Sequence, residues 1–242
     1  MATNNAIGFL DLPPEIRSVI YGLALRLEKP LQLNGRLGSP PSVVNYVYSP
    51  HLYILYGKED EIEHVQPAHP TTPNLNVNLL QVSRQVYDEA VPILYGANTF
   101  AFSAIGRASD ALLHSFLQEI GTSRKHLRHI KLLEIHNYAT LRSALHLLKE
   151  AKQLDSFECS SNVLSKLTIT SNVKSFIPWL KTLQKTASAD PERKGALDIL
   201  LINSHAEPSM VASYGQELSD GIFVERQEQQ RQVMAKLAKG LA

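Results

Sequence analysis

The pattern that most constrains the fold is an alternation of short apolar strands and amphipathic helices in the second half of the chain. Strand-like runs occur at residues 130–135, 155–159 and 197–202, and helical runs at about 140–151 and 176–186 lie between them. Strands that alternate with helices in this order are typical of a parallel sheet whose crossover connections are helical. The spacing of the runs is irregular, so the sequence predicts a degenerate repeat at most.

We expect helices to cover at least one face of this sheet, because its strands mix apolar and polar residues. The side chains expected to cover it are Leu141, Leu145, Leu148, Trp179, Leu180 and Leu183. The loops at the strand ends then form an exposed surface, and such loops are where recognition usually takes place. The candidate partner-binding residues in these loops are His136, Tyr138, Asn162, Asn203 and His205. The alternative interpretation, which the sequence leaves open, is that these loops only connect the strands and helices.

The N-terminal part of the chain is predicted to be mainly helical. Apolar residues recur at helical spacing between Leu12 and Leu27, namely Ile16, Val19, Ile20, Leu23, Ala24 and Leu27. Pro13 and Pro14 suit the first turn of this helix, and Asp11 is its predicted cap. This apolar stripe is either an exposed binding surface or ordinary core packed against a second predicted helix, which runs from Asn78 toward Tyr95.

Shorter elements are predicted around these helices. Between Pro30 and Pro73 we expect two strands, at residues 43–48 and 52–56, and a polar loop. Pro92 is expected to bend or end the second helix, and a short strand follows at residues 99–102. Residues 109–120 form a further predicted helix. The C-terminal residues 217–242 are expected to form a polar helix of which only the end, with Val233, Met234 and Leu237, docks on the core.

Composition and charge exclude several classes of protein. The formal net charge is +1, so no global field attracts nucleic acid or an anionic membrane. The single cysteine, Cys159, cannot form an internal disulfide, and no apolar run approaches the ~18 residues of a membrane helix. The first twelve residues do not have the pattern of a signal peptide. We therefore expect a cytoplasmic or nuclear location.

Two blocks of sequence resemble the F-box. Leu12-Pro13-Pro14-Glu15-Ile16, followed by Ile20-Tyr21, resembles the start of its first helix, and residues 79–87 resemble a later one. Residues 12–21 and 84–95, with Asn98-Thr99-Phe100 behind them, are similar to a large, mostly uncharacterised group of F-box-like proteins of filamentous fungi. The resemblance covers roughly residues 9–103. It departs from the usual F-box in that about fifty residues separate the two blocks and a downstream tryptophan is absent.

Together with the strand–helix alternation, the resemblance implies an α+β fold. Residues 9–103 would be an F-box-like helical module with a β insertion at about 30–78. Residues 104–210 would be a small α/β half that loosely resembles leucine-rich-repeat receptors, and residues 211–242 a polar C-terminal helix or tail.

The function that the resemblance implies is that of a substrate-receptor subunit of a cullin-RING ubiquitin ligase. Such a subunit is not itself an enzyme and has no cofactor, and its partners are the ligase adaptor and a target protein rather than nucleic acid or membrane. The residues implied in adaptor binding are Leu12, Pro13, Ile16, Ile20, Leu23 and Val82. Two alternatives remain, a stand-alone scaffold or effector that binds no adaptor and an enzyme with an unrecognised site.

Metal binding and catalysis receive little support from the residues. His126, His129, Glu134 and His136 are metal-ligand types, but neighbouring basic residues would repel a cation, and we predict no metal site. The common nucleophile, phosphate-binding and dinucleotide-binding motifs do not occur. Cys159 lies on a predicted strand, where a small buried hydrophobic residue is a better interpretation than a nucleophile.

Overall fold

The fold is built on one parallel β-sheet. The structure is a computed structural model that describes residues 8–33, 75–102, 109–132, 135, 137–160, 169–189, 193–203 and 216–241. Five strands form the sheet in these ranges: β1 (Leu31–Leu33), β2 (Thr99–Phe102), β3 (His129–Leu132), β4 (Ser156–Ser160) and β5 (Leu200–Asn203). They lie side by side in sequence order, each parallel to its neighbour. The predicted α+β class and the parallel sheet of the second half are confirmed.

Helices connect the strands and follow the last one. Those in the described residues are α1 (Pro14–Leu25), α2 (Arg84–Ala97), α3 (Ser109–Glu119), α4 (Tyr138–Leu147), α5 (Ile169–Ser188), the single turn α6 (Ala196–Ile199) and α7 (Gln216–Leu241). Helices α3, α4, α5 and α7 each contact the next in that order. They therefore form a layer beside the sheet.

Two rows of apolar side chains cross the sheet on the face toward these helices. The strand register aligns Leu31, Phe100, Ile130, Phe157 and Leu200 in one row, and Leu33, Phe102, Leu132, Cys159 and Ile202 in the other. All ten are at least nine-tenths buried and belong to one hydrophobic cluster. The row between them points to the opposite face and includes Lys131 and Glu158, which form an ion pair of 2.8 Å.

The helices cover the apolar face as predicted. The rings of Phe176 and Trp179 on α5 lie 6.2 and 5.2 Å from that of Phe157 on β4. The six residues expected to cover the sheet are all at most 1% exposed. Val233 and Leu237 of α7 are also buried in this cluster, so the prediction that the end of the last helix docks is confirmed.

Some predicted boundaries in the N-terminal part are wrong. The predicted helix 78–95 divides into a 3₁₀ turn at Val77–Gln81 and helix α2. It divides because the Oγ of Ser83 accepts a hydrogen bond from the Val86 N–H and starts a new helix there. Pro92 does not end α2, which continues to Ala97. Proline removes one helical hydrogen bond, to the carbonyl of Asp88, and that residue lies on the exposed side of α2.

Other corrections concern caps and strands. Asp11 does not cap α1, because its carboxylate accepts a hydrogen bond of 2.8 Å from the Gly8 N–H while Pro13 occupies the capping position. Residues 197–199 belong to the turn α6, so the predicted strand 197–202 begins only at Leu200. Strand β1 was not predicted, because three residues carry too little alternation to be recognised. The predicted strands 43–48 and 52–56 lie outside the described residues.

Candidate interaction surface

Helices α1 and α2 are joined by a largely buried ion pair. The Nε and Nη2 of Arg17 donate to the two carboxylate oxygens of Glu89, at 2.8 and 2.7 Å. The hydroxyl of Tyr21 donates to the same carboxylate at 2.9 Å. Arg17 is further held by the backbone carbonyls of Leu10 and Leu12, which accept from its Nη1. A bidentate contact of this kind fixes the angle and the register between two helices.

The electrostatics of this contact keep Glu89 ionised. Hydrogen bonds, first from Arg17 and then from Gln85, lower the pKa of Glu89 to about 2. The hydrogen bond to Glu89 raises the pKa of Arg17, and burial raises the pKa of Tyr21. The Arg17 side chain is 6% exposed and that of Glu89 30% exposed. The charges are therefore used in packing the two helices together rather than being presented to a ligand.

Asn98 joins the C-terminal ends of the same two helices. Its Nδ2 donates to the carbonyls of Leu25 and Leu94, at 2.7 and 2.8 Å, and its Oδ1 accepts from the Leu27 N–H at 2.7 Å. The side chain is 1% exposed. The two sequence blocks that resemble the F-box thus meet in space, as the contact between α1 and α2 shows.

Because α1 buries the side that carries Arg17 and Tyr21, part of its apolar stripe faces outward. The residues of α1 directed to α2 are Arg17, Tyr21 and Leu25, which are at most 5% exposed. Ile16, Val19 and Leu23, one and two helical turns apart, are 48%, 60% and 83% exposed. We call these three residues the α1 face. A soluble helix normally turns such a stripe to the core, so its exposure calls for a functional explanation.

The surroundings of the α1 face are also open or apolar. Ile20 is half-buried on the same side of the helix. A Cβ placed on Gly22 would meet no described residue outside its own helix turn within 4 Å. The 3₁₀ turn Val77–Gln81 starts beside the end of α1, where the Asn76 N–H donates to the Ala24 carbonyl at 3.2 Å.

The predicted adaptor-binding residues all reach the surface. Pro13, Ile16, Leu23 and Val82 are exposed, Val82 by 67%, whereas Leu12 and Ile20 are half-buried. Two exposed residues of this region, Val19 and Tyr87, were not among them. Val19 has the same helical spacing as Ile16 and Leu23, so the pattern that selected those two could have included it.

The predicted partner-binding residues are described only in part. Tyr138 is half-buried at the start of α4, and burial raises its pKa to about 12. Asn203 is the last residue of β5. Tyr138 comes shortly after β3, and Asn203 ends β5. The carboxyl ends of parallel strands lie at one edge of a sheet. His136, Asn162 and His205 lie outside the described residues.

Groups suited to catalysis or metal binding are not assembled in the described ranges. No three histidine, cysteine or carboxylate side chains lie close enough there to hold a metal ion. The Nδ1 of His129 and the Oγ of Ser156 are 2.9 Å apart, but these residues face each other across β3 and β4 in the ordinary strand register. Cys159 is 1% exposed, and burial raises the pKa of its thiol, which makes the thiolate scarce. The same ranges contain no helix with the length and hydropathy needed to cross a membrane.

Comparison with known proteins gives one result. Residues 2–168 match the sequence profile of a family described as a domain of unknown function (DUF7730). No curated protein and no solved structure matches the chain. The matched range begins before α1 and extends past β4, so it includes the α1–α2 pair and four of the five strands.

Proposed function

We propose that this chain, which belongs to the DUF7730 family, is a non-catalytic protein-binding subunit whose α1 face holds the adaptor of a cullin-RING ubiquitin ligase. The observation that carries the proposal is the exposure of Ile16, Val19 and Leu23 on a helix that buries an arginine instead. The resemblance of residues 12–21 and 79–87 to the F-box supplies the identity of the partner.

The energetic argument concerns what an exposed apolar helix face gains on binding. Removing apolar surface from water contributes about 25 cal/mol per Å². Leu23, which is 83% exposed, has most of its surface available for that gain. Apolar anchors at the centre of a helix-in-groove contact typically cost above ~1 kcal/mol each when they are truncated. The three residues of the α1 face would be such anchors within a larger contact.

The second half would then hold the protein to be modified. In that arrangement the chain performs no chemistry, because it only raises the concentration of a target near a ubiquitin-charged enzyme bound elsewhere in the assembly. The residues predicted to bind the target are those that follow β3, β4 and β5 in the sequence, and the compartment proposed is the cytosol or nucleus. This division of roles places the two binding surfaces on different elements, so substitutions can separate them.

A stand-alone scaffold is the second candidate function, and one observation favours it. Arg17, Tyr21 and Glu89, which belong to the two blocks of the resemblance, are engaged with one another inside the chain. The sequence blocks could therefore be retained for the α1–α2 contact alone. In that case the α1 face would bind a partner unrelated to ubiquitin ligases.

Co-purification with the ligase adaptor distinguishes the two functions. Wild-type chain, a Leu23→Asp variant and a Gln118→Asp control would each be mixed with purified adaptor at micromolar concentration. Leu23 and Gln118 are both exposed helical residues, so each substitution adds one negative charge without disturbing the core. We expect wild type and the control to retain adaptor and Leu23→Asp to lose it by at least tenfold.

Two other outcomes would count against the ligase function. If wild type binds no adaptor at micromolar concentration, the scaffold candidate replaces it. If wild type and Leu23→Asp bind equally, the adaptor contacts a surface other than the α1 face. Circular dichroism of all three proteins checks that the variants are folded.

A further inference from the structure

A cleft of about 360 Å³ lies at the last edge of the sheet, far along the chain from the α1 face. It is lined by Leu200, Leu201 and Ile202 of β5, Glu158 of β4, and Gln230 and Met234 of α7. Its volume falls within the range of ~300–1,000 Å³ that is usual for ligand sites. Leu201, on the face away from the helices, is 47% exposed, so the cleft has an apolar wall open to solvent.

Among the residues that the structure describes, β5 is the last strand of the sheet, so one side of its backbone has no neighbouring strand there. The Ile202 carbonyl points to that side, where it accepts a hydrogen bond of 2.9 Å from the Nε2 of Gln230. A side-chain amide here makes the contact that the N–H of a sixth strand would make. In a strand, the backbone N–H and C=O groups of residues two apart point the same way. The backbone N–H and C=O of Leu200 therefore face the cleft as well.

From this geometry we infer that the cleft binds a short extended peptide segment of a partner protein, paired with the free edge of β5. The peptide backbone replaces Gln230 as the donor to Ile202. One side chain of the peptide packs against Leu201, and its neighbour, on the opposite face, packs against Met234. An unprotected sheet edge is a known liability, and Gln230 covers it while the partner is absent. This inference does not depend on the α1 face or on the ligase adaptor.

The choice of an extended peptide over other ligands follows from the lining. Glu158 is the charged residue among the described residues that line the cleft, and it is already paired with Lys131 rather than with a ligand. The other lining side chains are apolar except for Gln230, and β5 adds the backbone amide and carbonyl groups of an edge strand. Apolar side chains at alternate positions and main-chain hydrogen bonds are the two features of strand addition.

A displayed library of random twelve-residue peptides, selected on the full chain, supplies the probe. We expect selected peptides to carry an apolar residue at alternate positions. Their affinity, measured by fluorescence polarisation, should fall at least tenfold for Leu201→Asp and remain unchanged for Gln118→Asp. Gln230→Met keeps the size of the side chain but removes its donor, so it should raise affinity about fivefold, the factor that corresponds to one net hydrogen bond.

N-methylation of the peptide tests the backbone contact directly. Methylation of alternate amides should abolish binding, whereas methylation of the intervening amides should be tolerated. The inference is overturned if no peptide is selected, if Leu201→Asp binds as well as wild type, or if N-methylation at every position is tolerated. It is also overturned if sedimentation shows that the wild-type chain dimerises through this edge and Leu201→Asp abolishes the dimer, because a second copy would then be the occupant.

Discussion

Glu89 illustrates how one residue determines which side of a helix is buried. Its carboxylate binds the guanidinium of Arg17 and the hydroxyl of Tyr21, so the side of α1 that carries both residues turns inward. Removing one partner of a buried pair leaves the other charge without compensation, which is usually worse than replacing both. Arg17, which is 6% exposed, would be that uncompensated charge.

We therefore predict that Glu89→Gln lowers the melting temperature at pH 7. The difference in melting temperature between wild type and this variant should become smaller in acid. The pKa of Glu89 is lowered to about 2 in the folded chain, whereas an unfolded glutamate titrates near ~4.3. A carboxyl with a depressed pKa stabilises the fold above its unfolded value and loses that contribution as pH falls through its folded value. The difference in melting temperature between wild type and Glu89→Gln should thus decrease between about pH 4.5 and pH 2.

Asp88→Asn is the matched control for this prediction. Asp88 neighbours Glu89 on α2, but its side chain is 67% exposed and lies 3.9 Å from that of Arg84, which is 95% exposed. Its removal should change the melting temperature little at any pH, as is usual for surface ion pairs. A deficit of Glu89→Gln that stays constant from pH 7 to pH 2 would contradict the assigned role of its charge.

At the level of elements, helix α1 was predicted to within about two residues, but the orientation of its faces could not be predicted. Apolar spacing marked Ile16, Val19 and Leu23 as one stripe, and in most soluble helices such a stripe is buried. What reverses the orientation is Glu89, which is 72 positions away from Arg17 in the sequence. A contact of that range leaves no trace in the local periodicity.

The other elements also divide into those that local sequence predicts and those that depend on contacts between distant residues. The strand 99–102 and the helices that cover the sheet were predicted from local periodicity alone, because their apolar sides do face the core. Strand β1 exists because it pairs with β2, nearly seventy residues later, and its three residues carry no strand signal of their own. The cleft beside β5 likewise depends on a contact between Gln230 and Ile202, which are 28 positions apart.

Gly22→Ala provides a direct test of the outward orientation of α1. A Cβ at Gly22 meets nothing within 4 Å, so alanine should add only its helix propensity, about 1 kcal/mol. For a chain of this size we expect the melting temperature to rise by about 2–4 °C. Gly240→Ala in α7 is the comparison, since there a Cβ would come within 2.5 Å of the Ile177 Cδ1 and displace it. A melting temperature of Gly22→Ala below that of wild type would mean that this side of α1 is covered.

At the scale of the molecule, the family match and the hydrophobic core end at different points along the chain. The DUF7730 match ends at residue 168, eight residues after the end of β4 at Ser160. The core does not end there, because the hydrophobic cluster on the sheet continues through α5, β5 and the end of α7. Without those elements Phe157 loses Phe176 and Trp179, and β4 becomes an edge strand with an uncovered apolar face.

We therefore predict that residues 1–168 alone do not fold cooperatively. Large contiguous apolar surface on an isolated domain leads to aggregation or to a loosely packed state that binds hydrophobic dyes. The fragment should bind such a dye and give no sharp calorimetric transition, whereas the full chain should give one. Trp179 is the only tryptophan of the chain and is 1% exposed, so its fluorescence reports the packing of α5 on the sheet in the full chain.

Trp179→Ala in the full chain is the intermediate case for this prediction. Truncation of a buried tryptophan typically costs about 3–5 kcal/mol, so this variant should still melt cooperatively but at a lower temperature than wild type. The three proteins should then rank in the order wild type, Trp179→Ala and fragment 1–168. If the fragment melts as sharply as the full chain, α5 and the elements after it are an appendage, and the core of this family closes within residues 2–168.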